Sequence, residues 1–168
     1  MQQFISADQI QQRIQALAQD IRRDHPDGVH LISVLKGAFM FLADLARAIE
    51  GDVTLDFMAV SSYGSSTKSS GQVQLLKDLD SPIEGRDVII VEDIVDTGLT
   101  LTYLQEILRA RSPRNLRTAC LLSKPSRRKV DVQVDYVGFT IEDKFVVGYG
   151  LDYAEKYRNL PFIAILEQ

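Results

Sequence analysis

A chain of 168 residues with 45% apolar and 25% charged side chains has the length for one domain with a real core, which excludes wholesale disorder, collagen-like repeats and a disulfide scaffold. Its net charge of -4, from 19 basic and 23 acidic residues, argues against nonspecific nucleic-acid binding through a positive surface. No apolar run approaches the roughly 20 residues of a membrane span, and Met1-Gln2-Gln3-Phe4 lacks the pattern of a signal peptide, so no membrane partner and a cytoplasmic location are expected.

Ser6 to Gln9 have capping-box spacing, and Ile10, Ile14, Leu17 and Ile21 recur on one face, predicting a helix that ends near His25 and Pro26. Val29 to Val34 read as a short buried strand, Lys36-Gly37 as a tight turn and Ala38 to Ile49 as an amphipathic helix. Val53 to Ser61 read as another strand. The small polar residues from Ser62 to Gly71 then break all periodicity, the pattern of a mobile active-site loop or of a passive surface loop. Val73 to Leu76 make a returning strand, and Asp87 to Val91 give the strongest strand signal. Thr100 to Ala110 supply a helix; Leu116 to Leu122, Val130 to Phe139 and Phe162 to Leu166 supply strands.

Strands alternating with helices predict an α/β fold with a central, mainly parallel sheet flanked by helices, and some antiparallel additions late in the chain. The lone Cys120, inside a strand pattern, reads as a buried structural thiol, and His25 and His30 read as structural. The basic residues Arg109, Arg111, Arg114, Arg117, Lys124, Arg127, Arg128 and Lys129 read mostly as a solvated helix end and loop.

The chemistry concentrates in Val88 to Thr100. A buried strand ends in Glu92 and Asp93, and two apolar residues later Asp96-Thr97-Gly98-Leu99-Thr100 opens a helix. In open α/β sheets the ligand crevice lies beyond the carboxyl ends of the strands. Hydroxyls and an unobstructed backbone at a helix N-terminus favour a phosphate. Carboxylates beside such a nest must point elsewhere, toward sugar hydroxyls, a metal ion or a proton to be removed; together these suggest a phosphorylated sugar. Asp93 and Asp96 could equally be helix caps. No Walker loop occurs, and Gly148-Tyr149-Gly150 lacks the third glycine of a dinucleotide fingerprint.

Glu92 to Thr100 closely resembles the phosphoribosyl diphosphate-binding motif of type I phosphoribosyltransferases. Leu35-Lys36-Gly37, Ser62-Tyr63, Lys124, Asp143 to Tyr153 and Arg158 follow the order found in the hypoxanthine-guanine phosphoribosyltransferases. The resemblance spans Val29 to Arg158 and implies the type I phosphoribosyltransferase fold, here one domain over residues 1–168 with a small hood built from the N-terminal segment and the C-terminal part, and a lid over about 62–71. It further implies Mg2+-dependent transfer of ribose 5-phosphate from phosphoribosyl diphosphate to hypoxanthine, or guanine, giving IMP or GMP and pyrophosphate, in a homodimer or homotetramer.

By the same resemblance, Asp96, Thr97, Gly98, Leu99 and Thr100 hold the 5-phosphate, while Glu92 and Asp93 face the ribose hydroxyls. Asp96 matches the general base or acceptor at purine N7. Lys124 donates to O6, Phe145 stacks on the purine and Val146 meets the base edge. Asp152 matches a magnesium-associated carboxylate near the base, with Glu92 and Asp93 as further metal candidates. Lys36, Gly37, Ser62, Tyr63 and Arg158 approach the pyrophosphate, and the Leu35–Lys36 bond can be cis. Ala38 and Leu99 depart from a glycine and a lysine found in some members. A nucleotide-sensing RNA-binding regulator on the same fold, and a pyrimidine or adenine phosphoribosyltransferase, are the rival readings.

Overall fold

The computed structural model describes residues 1–62 and 73–167. Strand β1 (Gln2–Ile5) leads into helix α1 (Ala7–Asp24), whose capping box is complete: Ser6 Oγ accepts the Gln9 amide and the Gln9 side chain accepts the Ser6 amide. Ile10, Ile14, Leu17 and Ile21 form its buried stripe. Strand β2 (Val29–Leu35), helix α2 (Phe39–Ala48) and strand β3 (Val53–Ser62) complete the first β-α-β unit. Strand β4 (Val73–Lys77) returns antiparallel to β3. Then come β5 (Asp87–Val95), α3 (Leu99–Arg109), β6 (Asn115–Ser123), β7 (Tyr136–Thr140), β8 (Val146–Val147) and β9 (Ile163–Ile165).

The main sheet runs β4-β3-β2-β5-β6-β7, parallel except for β4. A three-stranded antiparallel sheet, β1-β9-β8, joins the two ends of the chain, with Gln2 opposite Ile165 and Val146 opposite the same residue from the other side. Successive strand residues alternate between faces. Leu31, Ile89, Val91 and Leu121 therefore pack beneath α1 and α2, and Ile32, Ile90 and Cys120 beneath α3. Each fully buried aliphatic side chain contributes roughly 1.5–3 kcal/mol.

Three differences from the sequence reading affect the site or its frame. Strand β5 continues past the carboxylates, because Ile94 and Val95 pair with Leu122 and Ser123 of β6. Glu92 and Asp93 are thus inside the strand and project to opposite faces. The predicted strand from Val130 contracts to Tyr136–Thr140: the amides of Lys129 and Val130 donate to the Thr97 carbonyl, and Val132 and Val134 pack over the α3 core. Antiparallel pairing also occurs mid-chain, at β3-β4, and at the N-terminus, where β1 had no clear alternation to reveal it. The lid expected over 62–71 lies outside the described residues apart from the backbone of Ser62.

Candidate active site

The C-terminal ends of β2, β5 and β6 and the loop before β8 enclose a cleft of about 540 Å³. Gly37, Asp93, Asp96, Lys124, Phe145, Val146, Asp152 and Arg158, all anticipated from the sequence, line it. The turn after β2 reaches the cleft because glycine permits a close approach twice: a β-carbon on Gly37 would lie within 3.0 Å of the Asp93 carboxylate, and one on Gly150 would strike the Gly37 carbonyl. The Leu35–Lys36 peptide bond is cis. The Lys36 side chain itself is exposed, 3.7 Å from Glu155.

Beside the main cleft, a smaller cavity of about 150 Å³ is bounded by Glu92, Asp96, Thr97, Gly98 and Thr100 at the start of α3. Gly98 has φ 83°, a left-handed conformation that leaves the helix without a side-chain cap. Thr97 Oγ1 accepts the Leu99 amide at 3.3 Å. The remaining unpaired amides of the first turn and the helix dipole favour an anion there. Leu99 belongs to this turn without lining the cavity. Asp96 and Ile94 border both cavities; Glu92 borders the smaller one and Asp93 the larger.

The two carboxylates are held under electrostatic load. Burial pushes the Glu92 carboxyl well above the usual range, with the Asp93 charge adding to the effect. Glu92 Oε1 is buried and finds no hydrogen-bond partner among the described residues. Burial also raises Asp93 to about 6, although its Oδ1 accepts the Ile94 amide at 2.7 Å and the Arg158 charge opposes the shift. Such groups await a donor, and ligand hydroxyls would supply it.

On the opposite wall, Lys124 is 9% exposed, unlike the solvated lysine that a strand end alone would suggest, and its ammonium lies 3.5 Å from Asp143. Arg127 reaches the same Asp143 at 3.5 Å. Phe145 leaves 40% of its surface exposed and meets the Tyr153 ring edge-on at 5.9 Å, an open aromatic face rather than a core residue. Val146 is buried in β8. Asp152 Oδ2 accepts the Glu155 amide at 2.8 Å, and its Oδ1 lies 3.5 Å from Arg158, which also donates to the Gly150 carbonyl at 2.6 Å. Tyr63 and the side chain of Ser62 lie outside the described residues.

Sequence reasoning assigned no role to Ile94, Arg127, Asp143 or Leu151, which complete the cleft wall. Asp143 stands in the run through Tyr153 that carries the resemblance, which was the available signal; its pairing with Lys124 exists only in the fold. Among the described residues no three His, Cys, Asp or Glu side chains gather as a self-sufficient metal site. Asp93 and Asp152, sharing one cleft, instead offer the sparse carboxylate set that suits a hard dication completed by substrate oxygens and water.

The residues read as structural lie outside the cleft lining. His25 contacts Asp87 at 3.3 Å and His30 contacts Thr54 at 2.7 Å, toward the N-terminal ends of the strands. Cys120 is buried, its thiol pushed up to about 12 by desolvation. Much of the basic cluster is internally neutralised: Arg111 binds Asp78 through two nitrogens, Arg114 binds Asp87 likewise, and Arg117 meets Asp24.

Residues 6–154 match the phosphoribosyl transferase domain family. The hypoxanthine-guanine phosphoribosyltransferase of Bacillus subtilis (strain 168) is 52% identical over 165 residues, covering 98% of this chain and 92% of its own. The protein of that name from Mycobacterium tuberculosis (strain H37Rv) is 53% identical over 171 residues, covering 98% and 85%. Among solved structures, a hypoxanthine-guanine phosphoribosyltransferase from Bacillus anthracis, with a HEPES molecule in its active site, superposes with a TM-score of 0.96 at 51% identity over 99% of both chains. A hypoxanthine phosphoribosyltransferase from Trypanosoma cruzi, in a ternary complex with substrates, gives 0.94 at 44% identity over 99% of this chain and 95% of the other.

Proposed function

The chain belongs to the phosphoribosyl transferase domain family, and from that premise we propose that it is a purine-salvage enzyme, transferring the 5-phosphoribosyl group from phosphoribosyl diphosphate to hypoxanthine, and to guanine, with release of pyrophosphate. The observation that most supports this reading is the convergence of Asp96, Lys124 and Phe145 on one cleft beside the α3 N-terminus.

The 5-phosphate sits at the first turn of α3, on the amides and hydroxyls of Thr97 to Thr100, with Leu99 contributing only backbone. Glu92 and Asp93 accept the ribose hydroxyls from the two sides of β5. As the pyrophosphate leaves, positive charge develops on the ribose, and buried carboxylates aimed at it are worth more than in water. Asp96 accepts at purine N7 while the N9 proton is lost and the new bond forms. Lys124 donates to O6; adenine presents an amino group there, a second donor, and is rejected. Phe145 stacks on the ring, and the Val146 main chain meets its edge. Gly37 and Lys36 offer backbone groups, and Arg158 a charged fork, to the pyrophosphate. In this reading Ser62 and Tyr63 belong to the same pyrophosphate-binding set.

Mg2+ would be the cofactor in this reading: Asp152 and Asp93 would hold it, with Glu92 as a further candidate, and it would supply positive charge to the leaving pyrophosphate. The enzyme works in the cytoplasm on free substrates; among the described residues no helix is long and apolar enough to cross a membrane. Self-association, as homodimer or homotetramer, is part of this reading, and the exposed apolar side chains of Leu35, Phe39 and Leu55 are available to it. The neutralised basic cluster disfavours the RNA-binding alternative.

The test is pyrophosphate release with phosphoribosyl diphosphate and Mg2+, with hypoxanthine, guanine, xanthine, adenine and uracil offered separately. Turnover with hypoxanthine or guanine that a chelator abolishes is expected. Silence with every base from folded protein would reject the reading.

A further inference from the structure

Lys124 and Asp96 approach the purine from different loops, one after β6 and the other after β5, and the base fits only if their separation is held. A single guanidinium spans that gap. Arg128 donates through Nη1 to the Val95 and Asp96 carbonyls, both at 2.9 Å, and to the Lys124 carbonyl at 3.3 Å; through Nη2 it donates to Ser123 Oγ at 2.8 Å. These acceptors belong to the end of β5, the phosphate-loop residue that meets the base, and the base-reading lysine. Main-chain bonds follow the same seam: the Lys124 amide donates to the Val95 carbonyl and the Lys129 amide to the Thr97 carbonyl, each at 2.9 Å. Val132 packs against Gly98 so closely that a β-carbon there would lie 2.8 Å from it.

We infer that Arg128 is a positioning residue: it latches the phosphate loop to the base-reading loop and so fixes the distance between Asp96 and Lys124. This rests on the reading of the site given above. A planar fork suits the task, because a backbone carbonyl is a neutral acceptor and Arg presents several donors in one rigid plane. Misplacing a reacting group by about 1 Å can cost about 100-fold in rate, so the latch should appear in turnover more than in folding.

Arg128→Ala is compared with the unaltered enzyme in three measurements. Steady-state kinetics should show kcat reduced at least about tenfold and KM for hypoxanthine raised more than KM for phosphoribosyl diphosphate. Millimolar guanidinium should restore part of the lost kcat in the variant and none in the unaltered enzyme, which a generally loosened fold would not do. Hydrogen exchange should be faster at the Lys124 and Lys129 amides and unchanged at Ile90 and Leu121 in the sheet core. Unchanged kinetic constants, or a loss that guanidinium does not relieve and that leaves the Lys124 amide as protected as before, would overturn the latch. If the unaltered enzyme itself turned over no purine, the catalytic reading would fall, and the exchange at Lys124 and Lys129 would still decide the latch.

Discussion

The Oδ2 atom of Asp93 stands where the β-carbon of any other residue at position 37 would have to be. The turn after β2 and the carboxylate in β5 are thereby interlocked, and the only side chain compatible with both is a hydrogen atom. Gly37→Ala should push the Asp93 carboxylate out of its place in the cleft. We expect kcat/KM for phosphoribosyl diphosphate to fall by about tenfold or more with the circular dichroism spectrum retained; unaltered kinetics would mean that the turn yields and that Asp93 is not held by it.

Asp96→Asn tests the acceptor at N7. The Thr97 amide donates to Asp96 Oδ1, and an amide oxygen can accept that bond equally, so the loop should keep its conformation and the protein its melting temperature. Loss of the carboxylate should lower kcat by about 10²- to 10⁴-fold, the range for a removed acid-base group. A variant as active as the parent would remove Asp96 from the proton chemistry.

Lys124→Ala removes the donor proposed for O6 and leaves Asp143 facing Arg127 alone. A hydrogen bond to a charged group is worth ~1.5–3 kcal/mol, so kcat/KM for hypoxanthine should drop about 10- to 100-fold while KM for phosphoribosyl diphosphate stays nearly constant. Equal losses for both substrates would reject the O6 assignment.

The raised Asp93 carboxyl links stability to pH. Burial lifts its value from 3.8 to about 6, so the folded protein binds that proton more tightly than the unfolded chain does. The associated stability is complete below about pH 4 and is lost as pH rises through about 6. Asp93→Asn, which carries no charge at either pH, should therefore raise the melting temperature at pH 7.5 and leave it nearly unchanged at pH 4, while activity falls. A variant less stable than the parent at pH 7.5 would show that the charged Asp93 is stabilised by its neighbours, the Ile94 amide first and the Arg158 charge after it.

Local pattern carried much of this protein. Ser6 and Gln9 announced the first helix, the apolar run from Val88 announced the central strand, and Asp96 to Thr100 announced a phosphate-binding turn, because caps, strand hydrophobicity and glycine-bearing helix starts depend on residues a few positions apart. Lys36, Gly37, Lys124, Phe145, Val146, Asp152 and Arg158 were legible only through motif resemblance, since no local rule distinguishes a cleft lysine such as Lys124 from a solvated one.

Tertiary contacts decided the rest. Strand β5 runs on through Ile94 and Val95 because β6 offers ladder partners, which places Glu92 and Asp93 on opposite faces of one strand. Residues from Val130 to Asp135 alternate like a strand yet lie outside the sheet, their first amide donating to Thr97. Arg128, indistinguishable in sequence from its charged neighbours, becomes a half-buried fork between two loops. Burial, register and long-range hydrogen bonding are properties of residues far apart in the chain, and these three outcomes exist only once the sheet has brought such residues together.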